Sequence, residues 1–208
     1  MLPAILPLFP LARTVLFPRT FLPLHIFEPR YQAMTREVLG THHHFLLALA
    51  TDPEASDPLP PGAPISTLGT LTRIVRAEPM VDGRWNLLVQ GILAVDIQEV
   101  ETEAPYRQGT HRPHPFENGS PWSRVDKQGF FEALEAYARS GGIQGQLQEL
   151  LDLDLDEDVL LNTLGLALDF DPVERQFLLE SGSLASLAGR LVELIRFKMT
   201  GPRREGIA

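Results

Sequence analysis

The chain has 208 residues, 44% of them hydrophobic, no cysteine and a formal net charge of −9. The missing thiols exclude disulfides, thiolate metal sites and a cysteine nucleophile, and the acidic total argues against a nucleic-acid partner, whose phosphates favour a basic face. At this length folding buries roughly 70% of the unfolded surface, enough core for one large domain or two small ones without staples.

The opening, MLPAILPLFPLARTVLFP, is apolar enough to suggest an export signal. No basic residue precedes Arg13, however, and Pro3, Pro7 and Pro10 break the apolar helix that such a signal needs. No stretch reaches the roughly 18 uninterrupted apolar residues of a membrane span. The expectation is a cytoplasmic protein with no membrane partner.

Ala4–Phe9 and Phe21–Ile26 are short extended runs broken by prolines, which fix φ and cannot donate to a ladder. They are expected at sheet edges or strand ends. Between them Val15, Leu16 and Phe17 are consecutive, so at least one should face outward or into a neighbouring element. In LPLHIFEPRY the strand must end and a helix begin within two residues. Pro29 suits the first helical position, where its missing N–H costs nothing, and it disfavours helical geometry at Glu28. Glu28 then sits at a helix N-terminus, and Arg30 can fork to a carboxylate or to strand carbonyls. This reads as a hinge locking helix to sheet, with a groove rim as the lesser reading. Tyr31, Met34 and Val38 repeat at helical spacing, and Gly40 suits a left-handed helix end.

FLLALA, Phe45–Ala50, is an apolar run of the length of a strand buried on both faces. Thr51–Pro64 is expected as a mobile, poorly packed loop. Thr67–Ala77 and Trp85–Gln90 flank VDGR, where Asp82–Gly83 signals a type I′ hairpin turn. Leu93, Val95 and Ile97 alternate with Ala94, Asp96 and Gln98 as a half-buried strand, and YRQGTHRPHPF offers one more.

After Ser123 the period changes to 3.6. One helix is expected to close at Gly141, and DEDVLLNTLGLALDF is a second. A third carries Asp171 as N-cap, Pro172 at its first position and Glu174 as the capping-box partner. The last starts at a Ser183 cap, stripes Leu184, Leu187, Leu191, Leu194 and Ile195, and stops at Gly201–Pro202. The order is β, then α. The expected class is α+β, a partly closed barrel of mostly antiparallel strands with one helix over residues 1–118, then a helical bundle over 119–208.

No residue pattern for catalysis stands out. Lys127 and Lys198, the only lysines, follow no glycine, so there is no phosphate-binding P-loop, and no G-x-S-x-G is present. Serines precede both lysines, but Lys198 reads as a helix-end cation and Lys127 as a wet-side residue in a first turn. In THHHF, His42 and His44 share a strand face and His43 does not. Nothing gathers them with His25, His111 or His114, so the histidines read as strand entry and linker. LDLDLDED, residues 151–158, lacks the glycine and terminal glutamate of a calcium loop and reads as a solvated run supplying Asp156 as a cap. No cofactor, no metal and no catalytic residue is expected.

Leu6–Met34, LPLFPLARTVLFPRTFLPLHIFEPRYQAM, resembles the opening of the Lon protease N-terminal, substrate-binding domain family, in the form of the short bacterial proteins where this domain stands alone. The likeness continues through Gly69–Val100 and through DFDPVERQFLLESGSLASLAGRLVELI, ending at Ile195. It implies a PUA-like pseudo-barrel joined to a helical bundle. It also implies a role in holding unfolded or hydrophobic polypeptide, with no catalytic residues, since Lon's ATPase and protease follow this domain and this chain stops at Ala208. The expected function is therefore a non-enzymatic peptide-binding module, an adaptor in proteolysis or quality control, partnering an ATP-dependent protease or a second copy of itself. An extended client could add a strand at a proline-broken edge beside apolar pockets. Val15, Leu16, Phe17, Phe27, Glu28, Arg30 and Tyr31 are the candidate contacts, a solvent-facing apolar groove. Two alternatives stand beside it: RNA binding through a strip of Arg73, Arg76 and Arg84, and a metal-dependent hydrolase using the histidines.

Overall fold

The computed structural model describes residues 2–141 and 143–200. Six strands come first: β1 (Ile5–Leu11), β2 (Phe21–Ile26), β3 (His44–Leu49), β4 (Leu68–Pro79), β5 (Trp85–Val100) and β6 (Gln108–Pro113). Helix α1 (Pro29–Leu39) interrupts them, and α2 (Lys127–Gly141), α3 (Gln144–Leu151), α4 (Glu157–Ala167), α5 (Pro172–Leu179) and α6 (Leu184–Thr200) follow. The class is α+β, as expected. The Gly201–Pro202 stop lies outside the described residues.

The sheet runs β2-β5-β4-β3-β1-β6, and β6 pairs again with β5. Strands β5, β4, β3, β1 and β6 therefore close a ring, leaving β2 as an extra strand on β5. All pairings are antiparallel except β1 with β3. What allows closure is the length of β5. Its first half, Trp85–Gln90, carries β2, and its second half, Val95–Val100, carries β6. The change of partner falls around Gly91, where a Cβ would stand 2.2 Å from the Phe17 carbonyl oxygen. Two expected segments, Trp85–Gln90 and the alternating run after it, are thus one strand; Val95 and Ile97 face in while Asp96 and Gln98 face out.

Strand β3 is buried on both faces, as its continuous apolar run predicts. Phe45 and Leu47 join Phe9, Leu16, Ile26, Val89 and the α1 residues Tyr31, Met34 and Val38 in one cluster. Leu46 and Ala48 join Leu6, Leu8, Leu71, Val95 and Ile97 in another. Strand β2 is a sheet edge, as its proline implies. β1 is not, for it lies between β3 and β6. Its partners are staggered, with β6 along Ile5–Pro7 and β3 along Leu8–Leu11, so half of each edge stays open and prolines are accommodated there.

Three local expectations change. Gly40 ends α1 with φ −79°, and the left-handed residue is His43, at φ 62°. The β4–β5 turn is not type I′, because Gly83 has positive φ (85°) and Asp82 does not. The Gly83 amide donates to Met80 and the Met80 amide to Arg84, closing a three-residue loop with a left-handed glycine. The 51–64 loop is not poorly packed, since Leu59 and Ala63 are buried against Ala12 and Ala50.

Contacts divide the chain into two compact units, residues 1–115 with 166–180, and 116–165 with 181–208. A single cut after residue 118 would separate α5 from the first unit. Gln176 on α5 donates to Ser66 Oγ at 3.0 Å and to the Leu68 carbonyl at 3.1 Å, both in that unit. The expected capping box is present, the Asp171 amide donating to Glu174 at 2.7 Å. In the second unit α2 begins only at Lys127, behind Asp126, which accepts from the amides of Gln128 and Gly129. Helix α3 is an element the sequence reading did not anticipate. Leu187, Ala188, Leu191 and Ile195 are the buried residues of α6, and Leu184 and Leu194 are half-buried.

Candidate functional site

The site grows from the junction of β2 and α1. Glu28 is extended (φ −72°, ψ 133°) and Pro29 starts the helix, as the steric argument requires. Arg30 Nε and Nη2 both donate to Glu28 Oε2, at 3.0 and 2.7 Å, and Nη2 also donates to the Leu59 carbonyl at 2.7 Å. The Glu28–Arg30 pair therefore ties the strand–helix junction to the 51–64 loop. The guanidinium lies 4.6 Å from the Tyr31 ring centroid. Tyr31 meets Phe9 edge-on at 4.3 Å, and Phe9 meets Phe45 at 6.0 Å.

Two depressions flank this junction. On one side, a slot of about 170 Å³ opens between the end of β1 and β2, lined by Phe9, Pro10, Leu11, Pro23, Leu24, His25, Ile26, Phe27, Glu28, Tyr31 and Asp57. On the other, a wider cleft of about 640 Å³ is lined by Arg30, Tyr106, Arg107 and the turns at 61–62 and 99–105. Arg107 in that cleft is committed to Glu99 at 2.6 and 2.5 Å and to the Ala63 carbonyl at 2.7 Å. The hydrogen bonds from Arg107 hold the Glu99 carboxyl below its usual range. Tyr106 donates its hydroxyl to Glu37, and burial, reinforced by that bond, raises its phenol.

Of the seven candidate contacts, Phe27, Glu28 and Tyr31 line the slot and Arg30 lines the cleft beside it. Phe27 is 47% exposed and stacks on His25 at 6.2 Å. Val15, Leu16 and Phe17 line neither depression. They are 2, 0 and 1% exposed, so the expected solvent-facing groove does not form there. The alternation argument assumed a strand, and this segment is irregular, so consecutive side chains all turn inward. Two of its carbonyls are bonded as well: Thr70 Oγ1 donates to that of Leu16 at 2.5 Å and Thr20 Oγ1 to that of Phe17 at 2.8 Å. Leu11, Leu24 and Asp57 were missed. The signal the sequence carried for them was the pair of strand-breaking prolines at 10 and 23, which mark unpaired edges.

The alternative sites have their own geometry. Arg76 pairs with Glu78 and Arg84 with Asp82, both at 2.5 Å, so two of the three arginines of the strip are matched by neighbouring acids, while Arg73 donates to the neutral Gln90 at 3.1 Å. Among the histidines, His25 bonds Asn86 and His114 bonds Asp96, each at 2.8 Å. His42 and His44 lie 6.3 Å apart, and burial lowers the affinity of both for a proton. Among the described residues no group of three His, Cys, Asp or Glu side chains is placed to hold a metal, and no helix is long and apolar enough to cross a membrane.

The sequence profile of the ATP-dependent protease La (LON) substrate-binding domain matches residues 5–196. The chain belongs to this family. Full-length relatives include the Lon protease of Anaeromyxobacter dehalogenans (strain 2CP-C) and Lon protease 2 of Myxococcus xanthus, each 25% identical over 202 residues and 95% of this chain. The chain spans only 24% of the length of each. Among solved structures, the N-terminal domain of the Mycobacterium avium complex Lon protease superposes with a TM-score of 0.68 at 14% identity, covering 92% of this chain and 98% of that one. The Lon N-terminal domain protein from Xanthomonas campestris gives 0.65 at 22% identity, covering 93% and 98%. At these identities the structures speak for the fold alone. The matched family is a substrate-binding domain, distinct from the ATPase and protease parts of a Lon chain.

Proposed function

We propose that this chain is a non-catalytic module that binds protein substrates in unfolded or extended form and acts as an adaptor in bacterial cytoplasmic proteolysis. The observation that carries the reading is the substrate-binding profile across residues 5–196. A sheet with open, proline-broken edges beside apolar side chains supports it physically, because extended chains bind at such edges. The contact surface is placed around Phe27, Glu28, Arg30 and Tyr31. Val15, Leu16 and Phe17 support it from the core. The ring of β5, β4, β3, β1 and β6 is read as PUA-like, and α2, α3, α4 and α6 as the helical bundle. The partners are unfolded clients and an ATP-dependent protease, or a second copy of this chain. The test is capture of reduced, denatured proteins by the purified full chain, with native forms of the same proteins as controls. Equal retention of both forms, or of neither, would sink the reading.

A further inference from the structure

Tyr31 is 3% exposed, yet its hydroxyl has no hydrogen-bond partner among the described residues. Buried polar side chains in native proteins are almost always partnered, so an orphan of this kind calls for a partner that the chain's own hydrogen bonds do not supply. Burial pushes this phenol up to about 12, against the pull of the Arg30 guanidinium, so near neutral pH it is an intact O–H donor. Tyr31 also lines the slot between β1 and β2.

The slot is the wrong size for a free small ligand. At about 170 Å³ it falls below the roughly 300–1,000 Å³ of ordinary ligand pockets. That volume suits one side chain of a longer molecule. Phe9, Leu11, Leu24 and Ile26 make its lining largely apolar.

The two strand edges beside it are open. The Leu8 amide donates to the Arg107 carbonyl on the β6 side, so Pro10, two residues on, faces the same edge beyond the end of the β6 pairing. Thr20 turns its carbonyl to the Gly91 amide of β5, so Pro23 and His25 face the free edge of β2. A proline at the middle of each edge offers a carbonyl and no N–H. Neither edge can complete a full ladder with another sheet, which blunts self-association.

Resting on the polypeptide-binding reading above, we propose that the slot receives one apolar residue of an extended client segment, and that the Tyr31 hydroxyl donates to a main-chain carbonyl of that segment. A main-chain carbonyl is present at every residue of any protein. The contact therefore selects for extended backbone with apolar side chains rather than for one sequence, while folded clients, whose carbonyls are already bonded, are refused.

The test is Tyr31→Phe in the full chain, which keeps the ring and removes the oxygen. Affinity for a short, disordered, fluorescein-labelled peptide alternating leucine and serine should fall about 3- to 10-fold. The melting temperature should stay level or rise, because no internal bond is lost. A glycine–serine peptide of equal length should bind far more weakly to the wild type. A benzophenone side chain placed at His25, at the slot's mouth, should crosslink the leucine peptide. If the wild type captures denatured proteins but Tyr31→Phe binds the peptide equally well, the hydroxyl assignment is overturned while the wider reading survives. If the wild type ignores both probes, both fall. A clear drop in the melting temperature of Tyr31→Phe would show an internal role for the hydroxyl and would also overturn the assignment.

Discussion

Phe17 and Phe27 are the same side chain on either side of β2, and their surroundings give them opposite consequences. Phe17 is fully buried, and truncation to alanine leaves a cavity the core cannot close. Phe17→Ala should cost about 3–5 kcal/mol in chemical denaturation. Phe27 stands half in solvent, with His25 stacked on it. Phe27→Ala should leave the denaturation midpoint nearly unchanged and weaken capture of denatured clients. The reverse pattern would mean that the client surface lies elsewhere. Gly91 poses a backbone version of the same question. Its Cβ would sit 2.2 Å from the Phe17 carbonyl oxygen, a backbone atom that cannot swing aside. Gly91→Ala should destabilise by about 1–3 kcal/mol or more through forced backbone movement, read as a lowered denaturation midpoint at unchanged slope.

The turn from α1 into β3 concentrates three histidines where the chain reverses, with His43 held at φ 62°. The His44 amide donates to His42 Nδ1 at 3.1 Å, a bond that needs that nitrogen unprotonated. Burial is the main reason that His42 and His44 bind protons less readily here than in the unfolded chain; the His44 ring acts on His42, and the Arg73 guanidinium on His44, in the same direction. With the folded-state pKa values depressed, the unfolded chain takes up protons first on acidification. The stability tied to the neutral rings is present above the unfolded value near 6.5 and is lost as pH falls from there through the lower folded-state values. The melting temperature should therefore drop between about pH 7 and pH 5, and a His42→Gln/His44→Gln double variant should flatten that slope. An equal slope in the variant would assign the acid sensitivity to other groups. Helix α5 offers a second element-level check. Glu174→Ala removes the reciprocal half of the capping box and should cost about 0.5–2 kcal/mol, visible as faster amide exchange in the first turn of α5.

Over the whole chain, the first unit is discontinuous, because residues 166–180 return to it after the α2–α4 segment. Gln176 hands two hydrogen bonds to Ser66 and Leu68, at the start of β4. A fragment cut after residue 118 keeps every strand and loses α5, so Ser66 and the Leu68 carbonyl lose those partners. Such a fragment should melt well below the full chain and expose apolar surface to a dye such as ANS. A fragment as stable as the parent would show that α5 contributes little to the sheet it joins.

Local physics determined much of this protein from its sequence. Pro29 forced the helix start, Asp171 and Glu174 set a capping box, the apolar run at Phe45–Ala50 made a strand buried on both sides, and the Leu6–Met34 stretch carried the family. These features depend on neighbours within a few residues, where sterics and periodicity act. What the tertiary structure decided was every question of which segments meet. It turned Val15, Leu16 and Phe17 inward because their backbone is irregular, joined two apparent strands into one long β5 that closes the ring, and packed a loop that composition marked as loose. It also brought Pro10 and Pro23 to opposite sides of one slot with Tyr31 in its wall. The physical reason is that burial and hydrogen-bond satisfaction are properties of the assembled chain: whether a hydroxyl is left without a partner depends on residues distant in sequence, and no local pattern records them.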